Sequence, residues 1–337
     1  MTWLDSYLHR AVVEAVLVGA IGGAVGVHIV LRRLAFFTVA MTHATFPGVV
    51  LAALVGANLF LGSGAFGILV VLAVAALSRI RGHDLTAATG IALSAGFALG
   101  VVLLSAQAGF TKDLTAYTVG DILTVTPADL ATTTAIGVVI LVILVALAKE
   151  LHFAAFDPAG FAAAGYPALV VDIVLLTLIE AAAVTAVPAV GTVLAVALLI
   201  APAATARLWT HRMGLMMALA VVLGAVTGMA GILASLHLGV AAGGAIVLGN
   251  GLVFVVSFLA APVVQRLRAR SAGGGASPPA PAVPLPADPP DRGTAVMDNQ
   301  CAPPGPGSGS LRHVPRVSAL SPSWRTPLRA AGAPEAC

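Results

Sequence analysis

Residues 168–189 read ALVVDIVLLTLIEAAAVTAVPA, a stretch in which Asp172 and Glu180 are the only charged side chains. A membrane-spanning α-helix needs about 20 consecutive, mostly apolar residues, because each residue rises about 1.5 Å and the hydrocarbon core is about 30 Å thick. The stretch therefore predicts a helix that crosses a membrane. Eight further stretches of this kind occupy the chain before residue 262: residues 11–31, 34–56, 59–78, 87–107, 131–149, 191–209, 214–236 and 241–261.

The composition of the whole chain agrees with a membrane protein. Of its 337 residues, 59% are hydrophobic and 9% are charged, and the mean hydropathy is +1.02. Soluble domains carry roughly 25% charged residues, so an ordinary soluble enzyme is excluded. The formal net charge is only +3 and the basic residues are scattered between apolar runs, so we expect the lipid bilayer and no nucleic acid as a partner. We predict an all-α integral membrane protein, a bundle of about nine transmembrane helices with eight to ten as the range.

The lysine and arginine residues between the spans predict an orientation, because cytoplasmic loops carry an excess of these residues. Ten of them follow odd-numbered spans and only two lie on the opposite side. The ten are Arg32, Arg33, Arg79, Arg81, Lys149, Arg207, Arg212, Arg266, Arg268 and Arg270, and the two are Arg10 and Lys112. We therefore place this multi-pass protein in the cell membrane with the N-terminus outside and the C-terminus in the cytoplasm.

The chain changes character after the last predicted span. From Val263 onward it holds eight of its 17 lysines and arginines, together with many prolines, glycines, serines and alanines without an apolar period. Such a segment cannot bury enough apolar surface to offset the entropy of ordering it. We predict a transmembrane domain over residues 1–262 and a disordered cytoplasmic tail over residues 263–337. Both cysteines lie in this tail, which excludes a disulfide framework or a cysteine-based zinc site in the body.

Small residues recur at helical spacing in the first and eighth spans. They are Gly19, Gly22, Gly23 and Gly26 in the first, and Gly224, Gly228 and Gly231 in the eighth. Small residues four apart let two helix backbones approach closely in lipid. The spacing predicts tight helix packing and carries no information about a ligand.

Ionisable side chains inside a membrane are costly, so each one in or beside a predicted span points to a functional site by default, and four of them stand out. They are His28, His43, Glu180 and His237. We interpret His28 and His237, which lie near span ends, as interfacial residues. Glu180 lies at the centre of the sixth span, so it is either protonated and hydrogen-bonded or faces a polar cavity. A contact with His43 would satisfy both side chains.

His43 lies near the middle of the second span, in the run Thr42-His43-Ala44-Thr45-Phe46-Pro47. Pro47 has no N–H and cannot bond to the carbonyl of His43 four residues earlier. Irregular backbone at this depth is tolerated where it is buried in protein or lines a wet cavity. The imidazole is therefore either a helix-packing group or a ligand for a transition metal, with the hydroxyl of Thr42 beside it.

Residues 149–167, KELHFAAFDPAGFAAAGYP, are too polar for a span. Asp157 followed by Pro158 is typical of a helix start, and Gly165 followed by Pro167 is typical of a helix end. We predict a short cytoplasmic helix, which is either a connector or a docking element for a cytoplasmic partner.

Several enzymatic functions lack their motifs in this sequence. There is no phosphate-binding loop of the form G-x-x-x-x-G-K-[ST], no His-Glu-x-x-His pair of an intramembrane metalloprotease and no plausible catalytic triad. A secondary transporter would need intramembrane carboxylates for ion coupling, and only Glu180 qualifies. If ATP drives transport, another chain must hydrolyse it, and this chain is not an enzyme.

Four stretches together resemble one known family, over about residues 10–262. They are LRRLAFFTVAMTHATFPGVVLA (31–52), YTVGDILTVTP (117–127), FDPAGFAAAGYP (156–167) and VGTVLAVALLIAPAATARL (190–208). In this order they resemble the membrane-spanning permease subunit of metal-type ABC importers, which take up zinc, manganese or iron.

The resemblance implies a permease that forms the translocation pathway for a divalent transition-metal cation and binds no cofactor of its own. The implied partners are a cytoplasmic ATP-binding subunit that supplies the energy, an extracellular metal-binding solute-binding protein, and a second permease chain in a homodimer. The implied pathway residues are His43, Thr42 and Pro47, and Glu180 joins them as a candidate because of its position at the centre of the sixth span. The implied ATPase-coupling residues are Phe156, Asp157, Ala163, Gly165 and Pro167, and the implied pore or helix-break residues are Gly191, Pro202 and Arg207.

The sequence departs from the family pattern one turn before the pore histidine. Many members carry aspartate there, which forms an i, i+4 pair with the histidine on one helix face, and this chain has Val39. A hard cation such as manganese would miss that carboxylate most, unless Glu180 supplies one. The alternative is a permease for a metal chelate or siderophore, which the missing aspartate favours and the span count disfavours.

Overall fold

The computed structural model describes residues 7–80, 84–106, 120 and 122–272 of the chain. Within these residues the helices are joined by short turns and loops, and no strand forms. The helices are α1 (Tyr7–Arg32), α2 (Ala35–Ala44), α3 (Phe46–Val55), α4 (Leu59–Leu77), α5 (Leu85–Ser105), α6 (Pro127–Ala146), α7 (Ala148–Phe156), α8 (Pro158–Ala163), α9 (Ala168–Val190), α10 (Thr192–Trp209), α11 (Met213–Leu238) and α12 (Ala242–Ala272).

The predicted all-α bundle is confirmed. Over the described ranges, nine helical segments are long and apolar enough to cross a membrane, with α2 and α3 together forming the second. The fifth span begins at Pro127 rather than at residue 131, because Thr126 and Asp129 form a capping box. The Thr126 hydroxyl accepts from the Asp129 N–H, and the Asp129 carboxylate accepts from the Thr126 N–H.

Helix α1 lies in the middle of the bundle and packs on α11 and α10 through its glycines. Gly19 contacts the backbone of Gly224, and Gly23 contacts the backbone of Ala220, so α1 and α11 run antiparallel. Gly26 contacts the backbone of Leu199 in α10. The predicted tight packing of the first and eighth spans is confirmed, because their glycines lie against the backbone of neighbouring helices.

One end of the bundle collects arginines, and we call it the arginine edge. It carries Arg32 and Arg33 at the end of α1, Arg79 after α4, and Arg207 in the last turn of α10. An ion pair between Arg32 and Asp172 joins the end of α1 to the start of α9 at this edge. Arg81, Lys112 and residues 273–337 lie outside the described residues.

The last helix extends past the predicted domain boundary at residue 262. Helix α12 continues to Ala272, ten residues beyond that boundary, and the division into a membrane domain and a tail stays a prediction. Pro262 lies inside the helix, and the residues after it are helix-compatible until the glycines at 273–275. Residues 263–272 contain no glycine or proline that would end the helix.

Candidate functional site

The second span is interrupted one residue after α2 ends. Helix α2 ends at Ala44 and α3 begins at Phe46, with Pro47 in its first turn. Both the N–H and the hydroxyl of Thr45 donate to the carbonyl of Met41, at 3.2 and 2.9 Å. Threonine hydroxyls that bond back to their own helix often bend it, and proline cannot donate across the bend. His43 therefore lies in the last turn of α2, directly before the interruption.

His43 and Val39 lie one turn apart on α2 and together line a groove of about 460 Å³. Helix α10 supplies most of the remaining lining, and Phe254 of α12 also lines the groove. The α10 residues are Thr192, Val193, Val196, Ala197, Ile200, Ala201 and Ala204. The groove is open at Val39, whose side chain is 37% exposed. Its polar side chains are the His43 imidazole and the hydroxyl of Thr192, which is buried without a hydrogen-bond partner.

An aromatic wall fixes the imidazole on its other side. The ring of Phe97 in α5 meets the His43 ring edge-on, with the two ring centroids 6.3 Å apart. Phe97 also contacts Phe46, at the start of α3, with a centroid distance of 6.2 Å. Rings in edge-to-face contact prefer this range of distances. The half-buried imidazole is thus held by two helices and presented to the groove.

The other predicted pathway residues do not line the groove. Thr42 is buried and donates its hydroxyl to the carbonyl of Val39 at 2.8 Å, and Pro47 is buried inside the span. Glu180 is buried on α9 against Gly67 of α4, and neither of its carboxylate oxygens has a hydrogen-bond partner. No hydrogen bond therefore joins Glu180 to His43. Within the described part of the chain, no group of three or more His, Cys, Asp or Glu side chains is arranged to hold a metal ion.

The predicted short helix is present as α8. Asp157 caps it by accepting from the N–H of Gly160 at 2.8 Å, and Pro158 is its first residue. Gly165 has a φ of +81°, a left-handed conformation that favours glycine and turns the chain after the helix. The predicted coupling residues on its rim are exposed: Phe156, Asp157, Ala163, Gly165 and Pro167.

Sequence reasoning missed the residue that anchors α8. Phe161 is buried, its ring stacks on Tyr166 with a centroid distance of 4.8 Å, and Phe153 of α7 meets it edge-on at 5.4 Å. The signal was present, since these three aromatic side chains lie in an otherwise alanine- and glycine-rich segment. The aromatic cluster joins α8 to α7.

A match to a known sequence family shows which class of protein this chain is. The profile described as the ABC 3 transport family matches residues 4–261. This chain belongs to the ABC 3 transport family. The resemblance and the transport class predicted from the sequence are thereby confirmed.

Named relatives agree with this family. The manganese transport system membrane protein MntC of Halalkalibacterium halodurans is 38% identical over 257 residues, covering 76% of this chain and 88% of the relative. The zinc transport system membrane protein TroC of Treponema pallidum is 34% identical over 240 residues, covering 67% and 79%. The solved structure of PsaBC from Streptococcus pneumoniae in complex with Fab has a TM-score of 0.70 and 34% identity, and the match covers 78% of this chain and 95% of that chain.

The three residues that the sequence implies as pore or helix-break positions lie in different structural settings in this ABC 3 chain. Gly191 is the single residue between α9 and α10, with a φ of 87°, and it contacts the backbone of Gly120. Pro202 lies inside α10 and does not break it, because a proline removes one N–H and the helix continues on both sides. Arg207 is exposed in the last turn of α10. Of the three, only Gly191 is a helix break.

Proposed function

We propose that this chain forms one half of the translocation pathway for a divalent transition-metal cation, in an importer driven by a separate ATP-binding subunit. The observation that carries the proposal is the His43 imidazole in the open groove of an ABC 3 chain. Neutral imidazole is a common ligand for zinc and iron. The relatives are named for manganese or zinc transport, which supports a free metal rather than a chelate.

A second copy of the chain would complete the groove. A half-exposed imidazole at mid-span is costly against lipid, and ionisable side chains in spans normally face a bundle interior or a wet cavity. Two copies related by a two-fold axis would bring both His43 side chains to one pathway, because a two-fold interface uses the same patch twice. The proposed site therefore has two imidazoles, and it has no carboxylate at position 39 because this chain has valine there.

The two ends of the bundle suggest where the remaining partners would bind. We place the arginine edge, with α8, in the cytoplasm, where α8 would contact the ATP-binding subunit that hydrolyses ATP. The N-terminus and the opposite end would then face a solute-binding protein that delivers the cation. A role of Glu180 in the pathway stays a prediction, because its carboxylate packs against Gly67 away from the groove.

Cellular metal content tests the proposal directly. Zinc, manganese, iron and cobalt would be measured in cells that lack this chain and in cells in which it is restored. We expect one of these metals to fall without the chain and to recover with it. If all four stay constant in metal-limited medium, the proposed cargo is wrong.

The variant Gly165→Val is expected to uncouple ATP hydrolysis from uptake while the bundle stays folded. A β-branched side chain is strained at a φ of +81°, so the turn that ends α8 must rearrange, although no neighbouring atom would clash with it. The measurement is the ratio of metal imported to ATP hydrolysed, which we expect to fall by about tenfold, equivalent to about 1.4 kcal/mol of coupling.

The variant Gly165→Asn is the matched control, because asparagine tolerates the left-handed conformation better than other side chains. It should keep most of the coupling. Equal coupling in Gly165→Val and in the unaltered importer would remove the docking role from α8.

A further inference from the structure

A second cavity of about 580 Å³ lies at the arginine edge, on different helices from the wall of the His43 groove. It is bounded by the ends of α1 and α4 and by the starts of α5 and α9, with α7 and α8 below. Its charged side chains are Arg32, Arg33, Arg79 and Asp172. Nothing in the transport pathway proposed above uses these side chains.

The charges in this cavity are unbalanced. Arg32 is paired with Asp172, whereas Arg33 and Arg79 make no ion pair with any residue that the structure describes. Of the four charged side chains, three are positive and one is negative. Arg33 also has a φ of 58°, the one non-glycine residue of the described chain with a positive φ, so the backbone turns sharply where α1 ends. The cavity therefore offers two unpaired guanidinium groups to an anion.

The walls of the cavity are apolar. They are formed by Leu34, Leu85, Leu169, Leu176 and Phe161, with several alanines. Arg33 directly follows α1 and Arg79 lies two residues after the end of α4, and such positions at the ends of spans correspond to the level of the lipid headgroups. A site that combines guanidinium groups at the ends of two spans with leucine side chains fits an amphipathic anion better than a small soluble one.

We propose that this cavity binds an anionic phospholipid, with its phosphate on Arg33 and Arg79 and part of an acyl chain against the leucine wall. Guanidinium groups bind phosphate through two parallel N–H···O bonds, and basic pockets between membrane helices bind anionic headgroups. The shared chemistry is a phosphate, and the apolar walls commit the site to a lipid rather than to free phosphate.

The bound lipid would also support the coupling helix, a consequence that rests on the proposed function. Pro158 and Phe161 of α8 line the same cavity as the arginines. A lipid seated there fills the space between α8 and the ends of α1 and α9. The occupied cavity would thus hold α8 in place for contact with the ATP-binding subunit.

Native mass spectrometry of the full chain in nanodiscs tests the binding without any partner. The probe is phosphatidylglycerol mixed with an excess of phosphatidylcholine, which carries a phosphate but no net charge. We expect retained phosphatidylglycerol on the unaltered chain. The double variant Arg33→Gln/Arg79→Gln should lower the preference for phosphatidylglycerol about 30-fold, since each arginine near an anionic surface contributes about fivefold.

Two further variants keep the test decisive. Arg212→Gln removes an exposed arginine from the same edge outside the cavity and should leave the preference unchanged. Asp172→Asn removes the one acid of the cavity and should raise the preference about fivefold, even if the double variant does not fold. Equal binding of both lipids, no effect of these cavity variants, or displacement of phosphatidylglycerol by millimolar inorganic phosphate would each overturn the proposal. Lipid binding without any metal uptake would leave the site intact and remove only its role in coupling.

Discussion

The variant Gly224→Val is expected to remove most of the folded protein from the membrane. A side chain at position 224 would overlap the backbone carbonyl of Gly19 in α1. Overpacking typically costs about 1–3 kcal/mol when neighbouring side chains can move, and here the obstacle is backbone at the centre of the bundle. We expect a loss of about 3 kcal/mol or more, out of the 5–15 kcal/mol that is typical of whole proteins.

The measurement is the yield of monodisperse protein in size-exclusion chromatography, together with its thermal unfolding midpoint. The control is Gly214→Val in the same helix, because a Cβ added there would meet no atom of a neighbouring helix within 4 Å. This control should express and unfold like the unaltered chain. A normal yield and midpoint for Gly224→Val would mean that α1 and α11 pack less closely than the glycine contacts indicate.

The glycines illustrate what the sequence determines about this fold. Their spacing predicted close packing within lipid, because small residues on one face have no other efficient use there. It did not predict that Gly22 and Gly26 turn towards α10 while Gly19 and Gly23 meet α11. Pairing between helices that are far apart in the chain depends on the surfaces of all of them together.

The candidate site also has features that the sequence predicts and features that it does not. The run from Thr42 to Pro47 predicted both an interruption and an imidazole at mid-span, since each follows from local chemistry. Neither the α10 wall of the groove nor Phe254 could be predicted, because both come from distant parts of the chain. Glu180 shows the converse, since its central position suggested either a hydrogen-bonded carboxyl or a polar cavity, and its carboxylate packs on Gly67 without a hydrogen-bond partner.

The positive-inside rule uses the arginines of the arginine edge to predict orientation, but it does not predict which of them lie close together. In the sequence, Arg33 and Arg79 serve only as markers of orientation. The positive-inside rule counts the lysines and arginines in each loop and does not consider where their side chains lie in space. Their convergence on one cavity depends on where α1 and α4 end relative to α8 and α9. Similarly, the sequence shows Phe161 among other aromatic residues, but its role as the anchor of α8 follows only from the packing of α7 and α8.

The variant His43→Ala is expected to reduce metal uptake to about a tenth or less while the protein stays folded. Altering groups that only support a metal ligand costs about 10- to 100-fold in affinity or activity, and we propose that His43 contacts the cation itself. The measurement is initial uptake of the metal identified by the cellular content experiment. The control is His237→Ala, an exposed histidine in the last turn of α11, which should leave uptake unchanged.

A loss of uptake in His43→Ala has a second physical explanation, because the imidazole also packs against Phe97. The double variant Val39→Asp/His43→Ala separates the two, since residues 39 and 43 line the same groove one turn apart. A carboxylate from position 39 would offer the cation a new ligand but would not replace the contact with Phe97. If His43 is a ligand, uptake by the double variant should recover part of the loss, most for a cation that prefers oxygen, such as manganese. If His43 only shapes the groove, the carboxylate restores nothing and the cation must be held by other groups.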